Sequence, residues 1–199
     1  MRKPIAYLNN WTGRGPAALT GGAAPVAQPV PLYELDALAL PRYAALLVPS
    51  HSDQRYLAAQ RGRLEAYLLA GGTMVVNGHV AHPFLRWLAP FEPGAAAGLE
   101  GLRIHRAQAH PVFEGVDAND LTFRRGVAGF YARGGNPPPA GARVLNTLGP
   151  RAQPVDWLLD LPGGGRLLVH SGNDLWMYAG GGDSAARLVP QLIEWIYER

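Results

Sequence analysis

Four short polar clusters hold most of the chemistry available to this chain: Asn9-Asn10, Ser50-His51-Ser52-Asp53, Asn77-Gly78-His79 and His170-Ser171-Gly172-Asn173-Asp174. Each follows an apolar run, and together they contain three of the six histidines and three of the four serines. A carboxylate beside an imidazole fixes one ring tautomer and leaves the other nitrogen free to exchange a proton. His170 and Asp174 are the candidate pair for that role, and His79 is the third candidate catalytic side chain. Asn9, Asn10, Ser50, His51, Asn77, Gly78, Ser171 and Asn173 are candidate ligand contacts.

Each cluster also has a plainer reading. Asn77-Gly78 is good turn chemistry with a positive φ at the glycine, and Ser50, Ser52 and Asp53 can serve a helix start. His79 can be a structural, hydrogen-bonded histidine, while His82 and His110 precede prolines and fit turns. A metal reading of His51, His79 and His170 with Asp53 or Asp174 matches no spacing such as His-Glu-x-x-His, so no metal centre is expected. The glycine-rich stretch Thr12 to Gly22 lacks the Gly-Lys-Ser/Thr ending of a phosphate loop, and no cofactor is expected.

Composition excludes further classes. The chain of 199 residues has no cysteine, which removes disulfides, thiolate metal sites and thiol catalysis. With 48% hydrophobic residues but no apolar run of membrane length, it reads as one domain, residues 1–199, with no membrane partner. The N-terminus lacks a signal-peptide pattern, so a cytoplasmic location is expected. Net charge is +3, and the arginine pairs 103/106 and 124/125 have no interleaved aromatics, so no nucleic-acid partner is expected. A small-molecule ligand is the expected partner, and a homo-oligomer is compatible with the sequence.

The elements that must position these clusters follow from periodicity. KPIAYL at 3–8 reads as a strand, 12–31 as a long loop rich in Gly and Pro, with room for one short helical turn, that covers the strand's carboxyl end, LYEL at 32–35 as a short strand, and YAALLVPS at 43–50 as a buried parallel strand. Leu57, Leu64, Tyr67 and Leu68 recur at helical spacing between Asp53 and Ala70, and TMVVN then forms a strand. Strand, helix, strand with short connections is a βαβ unit, which implies an α/β fold with a mainly parallel sheet. Later, HPFLRWLAPF reads as a short helix, and LRIHRAQ and ARVLNTL as strands. VDWLLDL and RLLVHS flank a Pro-Gly-Gly-Gly turn as a late antiparallel hairpin, before a closing helix from about Ser184 to Tyr197. In such sheets ligands bind beyond the strands' carboxyl ends, so His79, His170 and Asp174 should share one pocket there, with His105 outside it.

The run YAALLVPSHSDQRYLAAQRGRLEAYLLAGGTMVVNGHV, with HPVFEGV and the late GGGRLLVHSGNDLW, resembles the class I glutamine amidotransferase-like superfamily, closest to its ThuA-like (trehalose-utilisation) branches that are not amidotransferases. The resemblance runs from about residue 30 to the end and implies a flavodoxin-like three-layer sandwich. It departs from the working glutaminases at the central turn, where Asn77-Gly78-His79-Val80-Ala81 stands in place of Gly-x-Cys-x-Gly, and at His170, which lacks the following His-x-Glu pattern. Without a thiolate no glutamyl thioester can form. The function implied is therefore an amidotransferase-like domain that binds a small polar metabolite, plausibly carbohydrate-derived, with Trp11, Trp87, Trp157 and Trp176 available as stacking faces. Two alternatives are an inactive scaffold or interaction module, and a hydrolase dependent on His/Asp or on Ser50 or Ser171.

Overall fold

Short runs that are apolar at every position form the centre of the molecule, because a parallel strand buried on both faces has no polar side. The computed structural model describes residues 2–10, 13–22, 25–95 and 97–198. Its strands are β1 (Ile5–Asn9), β2 (Gln28–Pro31), β3 (Ala45–Val48), β4 (Thr73–Asn77), β5 (Glu92–Pro93) and β6 (Ile104–Arg106), then β7 (Phe123–Arg124), β8 (Val127–Ala128), β9 (Gly134–Gly135), β10 (Arg143–Leu148), β11 (Gln153–Asp160) and β12 (Arg166–His170). Eight of them make one sheet in the order β2-β1-β3-β4-β12-β11-β10-β6. The pairs from β2 through β12 are parallel, and those joining β12, β11, β10 and β6 are antiparallel.

Alternate residues of the strands feed two apolar clusters. Ile5, Tyr7, Ala45, Leu47, Val75 and Leu168 enter one, against the closing helix; Ala6, Leu8, Leu46, Val48, Met74, Val76 and Leu167 enter the other. The second cluster is covered by two helices, α2 (Gln54–Ala59) and α3 (Arg61–Leu69), which follow the short α1 (Ala17–Thr20) in the chain. Asp53 caps α2, its carboxylate accepting from the Arg55 and Tyr56 amides at 3.0 Å each. Further on come α4 (Ala118–Thr122) and α5 (Leu188–Tyr197). Pro190 falls in the first turn of α5, where its missing N–H costs no helical bond.

Several local expectations need correction. The helix expected from Asp53 to Ala70 is two helices, broken at Gln60, which leaves helical geometry with φ −92° and ψ 7°. Residues 32–35 are not a strand; they start a 3-10 helix, Leu32–Ala37, that buries Leu32 and Leu35 at its three-residue spacing. The strand lies just before it at Gln28–Pro31, where Pro29 and Pro31 are tolerated because β2 is an edge. The His82 to Phe91 stretch is not helical but an irregular connection. Within the 12–31 stretch the one short helical turn allowed for falls at residues 17–20, and Trp11, Thr12, Ala23 and Ala24 lie outside the described residues.

His110 shows how tightly the α5 face is packed. Its Nδ1 accepts from the Val112 amide at 3.3 Å, capping a 3-10 turn, and its ring lies edge-on to Trp195 at 5.4 Å between centroids. Burial first, then the positive charges of Arg143, Arg166 and Arg106 against Asp160, push its pKa down from 6.5 to about 4. The native ring therefore stays neutral where the unfolded ring takes a proton, and stability must fall as pH drops through that window. Unfolding measured from neutral pH down to about pH 4 should show a loss of up to about 3 kcal/mol. His110→Asn should flatten that slope; identical slopes for the two proteins would contradict the assignment.

Candidate functional site

The four parallel strands β1, β3, β4 and β12 end on the same side of the sheet, so the polar clusters that follow them are neighbours. A cavity of about 290 Å³ opens there, between Ser50 and His51 after β3, Gly78 and His79 after β4, and Gly172 and Asn173 after β12. Its remaining wall comes from the 129–133 segment, including Phe130 and Arg133.

The turn after β4 is held from both sides. Asn136, fully buried, accepts from the Val80 amide at 2.9 Å and donates to the Gly78 carbonyl at 2.8 Å, while its own amide donates to Ser171 Oγ and its carbonyl accepts from Trp157 Nε1, each at 2.8 Å. From outside, Gln54 donates to the His79 carbonyl at 2.7 Å and accepts from the amides of Ala81 and His82. The left-handed residue of the turn is Gly78, with φ 93°, and a Cβ there would come within 2.6 Å of Ser50 Cα. That position therefore has no room for any side chain, nucleophilic or otherwise. His79 instead stacks on Phe91 with ring centroids 3.6 Å apart. Desolvation of the ring, then the nearby imidazoles of His170 and His51, lower the His79 pKa, which keeps it neutral.

Beneath the cavity lies a closed polar network. His170 and Asp156 are both fully buried, and His170 Nδ1 stands 2.6 Å from Asp156 Oδ1. The other carboxylate oxygen accepts from Tyr131 Oη and Asn146 Nδ2, both at 2.7 Å. Asn146 Oδ1 in turn accepts from Arg106, whose second terminal nitrogen donates to the Val116 carbonyl at 3.0 Å. Burial and then the Asp156 charge raise the Tyr131 pKa far above its ordinary value, so the phenol remains a donor to the carboxylate. Burial draws the Arg106 pKa down, against Tyr131 and Asp156.

With Nδ1–H given to Asp156, a neutral His170 ring keeps a bare lone pair on Nε2. That atom is buried and without a partner, and a Cβ placed on Gly172 would sit 3.0 Å from it. Gly172 itself lines the cavity and passes so close to Tyr131 that a Cβ would meet the Tyr131 carbonyl at 1.6 Å. One glycine thus separates an unsatisfied acceptor from the cavity.

The expected pairing of His170 with Asp174 is corrected by this geometry: the carboxylate on His170 is Asp156. Asp174 Oδ1 accepts from the Ser50 amide at 2.7 Å, the Ser50 hydroxyl also donates to the Asp174 carboxylate, and burial raises the Asp174 pKa. Of the other candidates, Ser50, His51, Gly78, His79 and Asn173 line the cavity, and Asn9, Asn10, Asn77 and Ser171 do not. Asn9 donates to the Gly13 carbonyl at 2.7 Å and Asn10 to the His51 carbonyl. Asn77 bridges the Val48 carbonyl and the Leu175 amide, and Ser171 Oγ holds Asn136. These four brace the strand ends. His105 lies on β6 at the far side of the sheet, paired with Thr147. Trp157 and Trp176 are core, Trp87 lies against Arg86, and Trp11 falls outside the described residues.

Asp156, Tyr131, Asn146, Asn136 and Arg133 escaped the sequence reading. One of them was within reach: β11 and β12 pair from Asp160↔Arg166 to Asp156↔His170, so the register of a tight connection places Asp156 opposite His170. Among the described residues no group of three or more His, Asp or Glu side chains is placed to hold a metal ion, and no helix is long and apolar enough to cross a membrane. In comparison with known proteins, no family model matches the chain and no curated protein matches it.

If the network is closed as described, its members should be costly to remove. Asp156→Ala leaves a buried imidazole, phenol and amide facing a hole and should cost about 3–5 kcal/mol in denaturant unfolding. Tyr131→Phe removes one bond to a charged acceptor and should cost about 1.5–3 kcal/mol. Losses below about 0.5 kcal/mol, the size of ordinary surface changes, would contradict the network.

Proposed function

We propose that this chain binds a small polar metabolite in the cavity at the carboxyl edge of the sheet, on an amidotransferase-like, ThuA-related, flavodoxin-like scaffold that has lost glutaminase chemistry. The observation that carries the reading is the convergence of His51, His79, Arg133 and Asn173 on one cavity with an unsatisfied His170 Nε2 beneath its floor. Buried polar groups are normally paired, and an orphan facing a concave site suits a partner supplied from outside. The absence of cysteine, with His79 standing at the turn position that the resembled glutaminases give to it, supports the loss of the thioester route.

A second reading, a His/Asp-dependent hydrolase, is favoured by the His170–Asp156 pair. In that reaction His170 Nε2 takes a proton from water as the water oxygen adds to an acyl carbon of the bound ligand and the carbonyl pair moves onto its oxygen; when that pair returns, the bond to the leaving group breaks and His170 gives the proton to it. The serines fit a nucleophile's role less well, since Ser50 is engaged by Asp174 and Ser171 Oγ holds the Asn136 amide.

Amide-resolved NMR of the full chain, titrated with sugars, polyols, sugar acids and amino acids, should show shifts concentrated at Gly78, His79, Gly172 and Asn173. His79→Ala should weaken the best binder at least fivefold with the melting temperature nearly unchanged, because the ring lies on the surface. Glutamine should release no ammonia. Shifts confined to other surfaces, or ammonia release that survives repurification, would overturn the reading.

A further inference from the structure

The cavity wall is uneven in charge. Arg133 lines it, and among the described residues the one side-chain hydrogen bond of its guanidinium runs from Nε to the Gly129 carbonyl at 3.1 Å. Among the described residues the arginines in ion pairs are Arg86, Arg103 and Arg143, so the terminal nitrogens of Arg133 carry a charge that no carboxylate balances. No acid is among the described residues that line the cavity, and Asp174, bound to the Ser50 amide, has its pKa raised by burial. His79 is held toward neutrality by desolvation and its imidazole neighbours. The wall therefore presents one permanent cation and no anion.

The lining also wants donors. Asn173 spends its Nδ2 on the Phe130 carbonyl at 2.8 Å, which leaves its Oδ1 as an acceptor. His170 Nε2 is the second acceptor, close against Gly172. A ligand that satisfies all three must bring a negative group for a single guanidinium fork and an O–H for the two acceptors. A carboxylate matches one fork bidentately, whereas a dianionic phosphate calls for more positive charge than one arginine supplies. A cavity of about 290 Å³ admits only a small molecule of this kind.

We propose that the ligand is a small hydroxycarboxylate of the sugar-acid type, its carboxylate on Arg133 and a hydroxyl directed at Asn173 and His170. This rests on the polar-ligand reading of the same cavity. It assigns Arg133, a residue on no apolar periodicity, as the group that selects charge.

Calorimetric titration of the full chain with D-gluconate, D-sorbitol and hexanoate separates the contributions. Gluconate should bind at least tenfold more tightly than sorbitol, which has the same carbon count and no charge, and than hexanoate, which has the charge and no hydroxyls. Arg133→Ala should reduce gluconate affinity at least tenfold and leave sorbitol unchanged; its side chain is exposed, and thermal melting of the variant checks that the fold is intact. Equal binding of sorbitol and gluconate, or an Arg133→Ala protein that binds gluconate as before, overturns the hydroxycarboxylate proposal while leaving the polar-ligand reading in place. Hexanoate binding as well as gluconate overturns the role of the hydroxyls. Failure of both gluconate and sorbitol to bind overturns the hydroxycarboxylate proposal, and shifts at the cavity amides with another polar compound then decide whether the broader reading survives.

Discussion

A histidine and an aspartate, both sealed from solvent and 2.6 Å apart, join two adjacent inner strands of the sheet, β12 and β11. Neither could be buried alone: an isolated charge in such a place costs several kcal/mol, and an imidazole needs its polar atoms met. The pair is affordable only because β11 and β12 are in one register and because Tyr131 and Asn146 fill the other carboxylate oxygen. Arg106 then closes the chain of contacts from β6, at the sheet's edge. The antiparallel half of the sheet is thereby committed to a single alignment, since a slip by one residue would separate His170 from Asp156 and turn both to the wrong face.

The same pair connects to the cavity through backbone. The His170 carbonyl accepts from the Gly78 amide at 2.9 Å, which ties β12 to the turn after β4. Asn136 then holds that turn, the Ser171 hydroxyl and Trp157 with four hydrogen bonds from one residue. Asn77 links the end of β3 to the 3-10 turn Leu175–Tyr178. The polar atoms along the strand edge are thus largely consumed in holding one another, and His170 Nε2, close against the cavity-lining Gly172, is among the few left over. Rigid supports behind a few unsatisfied groups are the arrangement that ligand sites require.

Much of this was legible in the residues. Continuous apolar runs marked β1, β3, β4 and β12, and the βαβ spacing placed their polar ends on one edge, so four of the eight candidate ligand contacts line the cavity together with His79. What was not legible has physical causes. Asp174 lies four residues after His170, and sequence proximity suggested a pairing that the strand geometry denies; the true partner is across a hairpin register, fourteen residues away. Tyr131, Asn136 and Arg133 come from an irregular stretch between β8 and β10 with no periodicity to read, so their convergence depends on tertiary contacts alone. The strand misplaced onto residues 32–35 shows another limit, because Leu32 and Leu35 fit either an apolar strand or a 3-10 turn, and only the fold of β2 beside β1 decides.

The central claim is that Asp156 fixes the His170 ring so that Nε2 holds a bare lone pair beneath the cavity. Long-range proton–nitrogen NMR on protein labelled at its histidines reads this directly. The account predicts, at neutral pH and without ligand, a proton on Nδ1 in a strong hydrogen bond and an unprotonated Nε2 for His170. A spectrum in which the His170 proton sits on Nε2, with Nδ1 bare, would contradict it.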